Sequence, residues 1–117
     1  MTRAASVTRS FTFDAAHHLP WHPGKCARLH GHTYRLEVTA TGPVRADGLV
    51  IDFADLKSAV ESALIEHLDH TLLNDSIDNP TAERVALHVL DTLIQAELPV
   101  TRVRLWETPD CCVEVQP

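Results

Sequence analysis

The sequence predicts an α+β domain, a four-stranded antiparallel sheet with two helices on one face, and three observations carry that reading. Two segments near the start and two near the end alternate apolar with polar residues, as half-buried strands do. Two segments between them repeat apolar residues at helical intervals. The order strand, strand, helix, helix, strand, strand has its simplest layered solution in a sheet covered on one side.

In the first strand, Val7, Phe11 and Phe13 share one parity, and Thr8, Ser10 and Thr12 the other. Pro20, Trp21, Pro23 and Gly24 follow, too many breakers for regular structure. From Thr33 to Thr41, Tyr34, Leu36, Val38 and Ala40 alternate with Thr33, Arg35, Glu37 and Thr39; Gly42-Pro43 ends this second strand and Asp47-Gly48 marks a turn. Phe53, Leu56, Val60, Ala63, Leu64 and Leu68 form the face of a first helix with Asp52 as its N-cap. Residues 72–79 read as a loop. A second helix begins near Asn79-Pro80-Thr81, capped by Asn79 or by Thr81; Ala86, Leu90, Leu93 and Ala96 form its stripe, and Pro99 stops it. Val103 with Leu105, and Val113 with Val115, give the last two strands. Open sheet edges in so small a protein call for pairing between subunits.

A chain of 117 residues fits one domain, spanning residues 1–117, with a modest core. No apolar run is long enough for a bilayer, and MTRAASVTRSFTF lacks the apolar centre of a secretory signal. Cys26, Cys111 and Cys112 are odd in number and the last two are adjacent, which argues against a disulfide framework and for a reducing cytoplasm. A net charge of −6 argues against general nucleic-acid affinity, while leaving room for a small anionic ligand.

The chemistry concentrates between Asp14 and Tyr34, DAAHHLPWHPGKCARLHGHTY. His30 and His32, two apart, point to the same side of a strand. With His17 they make three imidazoles, which leave the fourth position of a zinc ion open, the arrangement of catalytic sites. Cys26 stands between Lys25 and Arg28, a setting that favours thiolate. It is open as a reactive thiol beside the metal or as a fourth ligand. His18, His22, His67 and His88 have no partner at useful spacing and read as surface or loop histidines. Asp69-His70, closing the first helix, reads equally as a dipole-favoured end and as a carboxylate orienting a proton shuttle. Glu107 shares parity with Val103 and Leu105, so the strand carries its carboxylate toward the apolar side, where it needs a partner. Glu83, in the first turn of the second helix, reads more readily as a dipole-favoured surface acid.

These residues resemble a known family. FTFDAAHHLP, the C-x3-HGH run of Cys26 to His32, VIDFADLK, LDHTLLND, NPTAE and WETP are similar to the 6-pyruvoyl-tetrahydropterin synthase superfamily over nearly the whole chain, and most to its bacterial branch of queuosine biosynthesis. The three-residue spacing between Cys26 and His30 favours that branch. Arg84, where relatives often carry asparagine, and the short loop from Asn74 to Asn79 depart from the pattern.

The resemblance implies a tunnelling fold in which sheets of several subunits join into a barrel, commonly a hexamer of two trimers, with active sites between subunits. It implies one zinc ion per subunit on His17, His30 and His32, and a proton-transfer group of Cys26, Asp69 and His70. Glu107 would anchor the pterin, because a ring N–H beside an amino group matches a carboxylate. Thr81 and Glu83 would lie near the ring, and Lys25 and Arg28 are candidates for a triphosphate. The implied reaction takes 7,8-dihydroneopterin triphosphate to 6-carboxy-5,6,7,8-tetrahydropterin, acetaldehyde and triphosphate. The rivals are a pyruvoyl-forming enzyme of the same fold, a non-catalytic zinc-stabilised pterin-binding module, and an unrelated zinc hydrolase.

Overall fold

Two long strands form the spine of the protein, whose computed structural model describes residues 3–117. Met1 and Thr2, which open the segment read above as lacking a secretory core, lie outside the described residues. Strand β1 (Ala4–His17) and strand β2 (His30–Pro43) pair antiparallel along their whole length, from Ala4 opposite Pro43 to His17 opposite His30. Both strands run further than the apolar alternation predicts. Ala15 and His17 continue the inward parity of Phe13, and His30 and His32 continue that of Tyr34. Small and histidine side chains hid this continuation from a reading based on apolar residues.

β4 (Val100–Thr108) pairs antiparallel with β2, and β5 (Cys111–Val115) with β4. The expected four-stranded antiparallel sheet gains a fifth member. Where the stretch read as a loop begins, Thr71–Leu72 form β3, parallel to β1 at Ala15 and Ala16, and Leu73–Asp75 make a 3-10 turn. The sheet is therefore mixed, in the order β3-β1-β2-β4-β5. A two-residue strand carries no periodicity, so only the fold reveals it. Asn74 prolongs the pairing with its side chain, accepting from the His18 amide and donating to the His18 carbonyl.

Two helices cover one face of this sheet. The first runs over residues 53–68, and the Asp52 carboxylate caps it by accepting from Ala54 N at 2.7 Å and Asp55 N at 3.4 Å. Its buried residues, Leu56, Val60, Leu64 and Leu68, recur every fourth position. In an α-helix each such step overshoots a full turn by about 40°. The π-helical segment Glu61–Ile65 turns less per residue and takes back that drift, keeping the row against the sheet. Phe53, expected in the same row, heads the helix and remains 54% exposed; Arg9 donates to its carbonyl, so a side chain rather than burial secures this turn.

The second helix, Ala82–Gln95, is capped by Thr81, whose hydroxyl accepts from Arg84 N. Its buried stripe is Val85, Ala86, Val89, Leu90 and Leu93. Ala96, predicted to extend the stripe, is the C-cap and exposed, because the chain leaves the helical arc there; Glu97 then turns with φ 63° ahead of Pro99. Both helices pack on Phe13, Tyr34, Leu36, Val38, Val103 and Leu105, all essentially buried. Truncating one of these leucines to alanine typically costs about 2–5 kcal/mol. Among the described residues no helix is long and apolar enough to cross a membrane.

Candidate functional site

The histidines lie at the end of the core where the β1–β2 ladder finishes. His17 and His30 are directly opposed, and His32 faces Ala15 one step along, so all three imidazoles share the helix-covered face. One nitrogen from each ring lies within 4.8 Å of the others. The remaining ring nitrogens are committed. His17 Nδ1 donates to the Pro80 carbonyl at 2.7 Å, and His30 Nδ1 donates to the Arg28 carbonyl at 2.6 Å. A carbonyl can only accept, so both rings carry their hydrogen on Nδ1 and turn bare Nε2 lone pairs toward each other. His32 Nε2 is buried with no hydrogen-bond partner. Burial above all holds the His32 imidazole below its usual pKa, favouring the neutral form that binds metals, with Glu107 opposing. Three convergent nitrogens, two oriented through their other nitrogen, fit a divalent ion such as zinc.

Glu107 reaches this cluster. The β4–β5 register slips between Trp106 and Thr108, leaving Glu107 as the bulged residue. Bulges re-aim side chains, and here the carboxylate comes 3.4 Å from His17 Nε2 and 3.8 Å from His32 Nε2. The parity expectation for Glu107 therefore holds, and its nearest polar neighbours are the histidines. Tyr34, wholly buried and stacked on Phe13, forms the wall; its hydroxyl is 3.5 Å from His17 Nδ1, and burial, then Glu107, push its pKa far above the usual value.

Two clefts flank His32. One, of about 480 Å³, is lined by Lys25, Cys26, Arg28, Leu29, His30 and His32. Cys26 sits there half-buried on the 3-10 turn Lys25–Ala27, and its carbonyl, accepting from Leu19 N, ties down the loop. The thiol is outside the three-nitrogen cluster. Lys25 and Arg28 are exposed beside it. The other cleft, of about 560 Å³, includes Asp14, Gly31, His32, Thr33, His70 and Thr71. His70, on its wall, has Asp69 Oδ2 3.0 Å from its Nδ1. The Asp14 amide, and next His70, hold the Asp69 carboxyl below its usual range.

Within one chain, then, the three histidines and Glu107 meet, Asp69 meets His70, and Cys26 occupies a separate cleft. Thr81 caps the second helix directly after Pro80, whose carbonyl orients His17, whereas Glu83 is exposed on its first turn. His18, His22, His67 and His88 stay outside the histidine cluster. Sequence reasoning missed Asp14, Thr33, the Pro80 and Arg28 carbonyls, and Asn79, which accepts from the Trp21 indole at 2.6 Å and pins the loop between β1 and β2. The Asp14 parity, opposite to His17, was the one available signal.

A family model described as 6-pyruvoyl tetrahydropterin synthase matches residues 6–117. A protein of Archaeoglobus fulgidus, provisionally named a 6-carboxy-5,6,7,8-tetrahydropterin synthase, is 41% identical over 92% of this chain and 91% of its own length. Several other matched proteins carry that name without the proviso. The dihydroneopterin monophosphate aldolase of Pyrococcus furiosus is 36% identical over 96% of this chain and 97% of its own. The solved structure of Caenorhabditis elegans 6-pyruvoyl tetrahydropterin synthase superposes with a TM-score of 0.87 at 25% identity, covering 98% of this chain and 96% of that one. With the family pattern running from β1 to the C-terminus and the same fold in a solved member, this chain is an enzyme of the 6-pyruvoyl tetrahydropterin synthase family.

Proposed function

We propose that this enzyme converts 7,8-dihydroneopterin triphosphate and water into 6-carboxy-5,6,7,8-tetrahydropterin, acetaldehyde and triphosphate. The observation that carries the reading is the position of His32, which joins the three-nitrogen cluster and borders both the Cys26 cleft and the His70 cleft. Relatives with the same synthase name support the substrate class. In the balanced reaction, two side-chain carbons leave as acetaldehyde and the triphosphate departs. The remaining carbon becomes the carboxylate with an oxygen from water, and two of its electrons reduce the dihydropterin ring.

One zinc ion per chain would be held by His17, His30 and His32, and when bound it supplies Lewis acidity toward the oxygens of the side chain. Cys26, as thiolate, moves protons at the carbons next to the ring. Lys25 and Arg28 are the proposed contacts of the triphosphate. His70, oriented by Asp69, acts as the complementary acid and base. Glu107 accepts from the ring N–H and the neighbouring amino group, a bidentate match. The Thr81 hydroxyl accepts from Arg84 N and keeps its hydrogen for a ring acceptor, with Glu83 beside it.

Complete sites are proposed to form between subunits of a homo-oligomer, a hexamer of two trimers in which sheet edges pair into a barrel. The long edge of β1, paired to β3 only at Ala15 and Ala16, supports this, as does the separation of Cys26 from His70 within one chain. The product would feed queuosine synthesis in the cytoplasm.

Mass spectrometry of the products from zinc-loaded enzyme and 7,8-dihydroneopterin triphosphate tests the reading. A carboxylated tetrahydropterin with acetaldehyde is expected. A pyruvoyl product without acetaldehyde, or a phosphorylated two-carbon aldehyde, would replace it with synthase or aldolase chemistry. Unchanged substrate on zinc-loaded protein would make the chain a binding module.

A further inference from the structure

We infer that Asp14 is a positioning residue for His70, holding the imidazole in place through its main chain and fixing its orientation through its carboxylate. The inference rests on the reading of Asp69–His70 as the acid–base pair, and it adds a residue from a different element.

Asp14 lies on β1, on the strand parity opposite to His17, and is separated from Asp69 by most of the first half of the fold. Three of its groups nevertheless act on the dyad. Its amide donates to Asp69 Oδ1 at 2.9 Å. Its carbonyl accepts from the His70 amide at 2.6 Å. His70 has φ 60°, a left-handed conformation that L residues rarely adopt, so this bond holds a turn the chain would otherwise relax. The carboxylate of Asp14 is the third group. One of its oxygens accepts the Thr33 hydroxyl, and an oxygen lies within 4.8 Å of ligand atoms of both Asp69 and His70. Two carboxylates therefore flank one imidazole.

The charged and titratable groups around His70 are few. Asp69 precedes it at the end of the first helix, Asp14 faces it from β1, and His32 of β2 lines the same cleft; β3 contributes only Thr71 and Leu72. With Asp69 set on Nδ1, the second carboxylate gives the ring a further polar neighbour on β1 and so fixes its orientation in the cleft.

The substitution that isolates this contribution is Asp14→Asn. It keeps both main-chain bonds and an oxygen for the Thr33 hydroxyl, and removes only the charge. The measurement is the NMR signature of the His70 ring, which reports its tautomer and order, on full-length zinc-loaded protein, with kcat and KM on 7,8-dihydroneopterin triphosphate. Losing this charged neighbour is expected to alter the His70 ring signals and to lower kcat by about tenfold while KM holds, and Asp14→Glu restores both. Should Asp14→Asn fail to fold, Thr33→Val, which frees the carboxylate to rotate, is expected to give a smaller change of the same kind. An unchanged His70 ring signature, even with activity lost, overturns the inference. A wild-type protein without turnover overturns the proposed reaction instead, and the NMR comparison still decides the role of Asp14.

Discussion

His17 and His30 face each other at the end of the β1–β2 ladder with their Nε2 atoms 3.0 Å apart, and each has already donated its Nδ1 hydrogen to a backbone carbonyl. Two lone pairs at that separation repel unless a cation lies between them. Metal is therefore expected to stabilise the fold as well as serve the chemistry. A site filled to a hundred times its dissociation constant adds about 2.7 kcal/mol. Melting with and without a chelator should show a clear fall in Tm on zinc removal, and His30→Ala should abolish both the bound zinc and that chelator-sensitive difference.

Cys26 stands outside the three-nitrogen cluster, in a cleft that shares His32 with the His70 cleft. Cys26→Ala is expected to lower kcat by about 10²–10⁴-fold while zinc content stays at the wild-type level. Metal analysis of the purified variant checks this directly, because loss of zinc would make the thiol a ligand.

Glu107 is proposed to hold the pterin ring, although its carboxylate also lies 3.4 Å from His17 Nε2. Removing its charge costs a charged hydrogen bond, about 1.5–3 kcal/mol. Glu107→Gln should accordingly raise KM by about tenfold or more with zinc retained. Steady-state kinetics paired with metal content separates an anchor from a metal counter-charge.

His88, on the second helix, is held below its usual pKa by burial, against the pull of Asp91. The neutral ring is favoured in the fold, so the unfolded chain takes up its proton first as pH falls. Stability from this residue is complete above the ordinary value of 6.5 and is lost progressively as pH falls from there toward the lower folded value. His88→Gln is expected to flatten the fall of Tm between neutral and mildly acidic pH, measured against wild type in the same buffers.

Glu97 ends the second helix with φ 63°, where Leu98 N bonds Leu93 O and Glu97 N bonds Ile94 O, the pairing of a Schellman cap. Glycine normally fills that position. A side chain there costs about 1–2 kcal/mol, part of which returns through the greater freedom of an unfolded glycine. Glu97→Gly should stabilise the protein by about 1 kcal/mol, seen as a higher denaturant midpoint at unchanged slope.

Much of this fold and part of its site were legible from residues alone. Parity is a local property, so Tyr34, Leu36 and Val38 announced β2, and the two-residue spacing of His30 and His32 announced a shared face. Asp52 announced its helix, and Thr81 was one of two candidates for the other, because a cap depends on residues two or three positions away. The fifth strand was silent, since Thr71–Leu72 is too short to show a period.

What the sequence determined by itself was therefore the inventory and its local geometry: four strands, two helices, three histidines able to share a metal, a thiol among basic residues, and Glu107 aimed inward. Tertiary structure alone decided the partners that come from elsewhere in the chain. The Pro80 carbonyl that sets the His17 tautomer is 63 residues away, and the Asp14 amide that binds Asp69 is 55 residues away. The bulge that leaves Glu107 opposite no residue of β5 exists only once two strands are in register. Backbone amides and carbonyls are the same in every residue, so the letters of a sequence carry no trace of which ones will meet; strand pairing and helix packing make that choice.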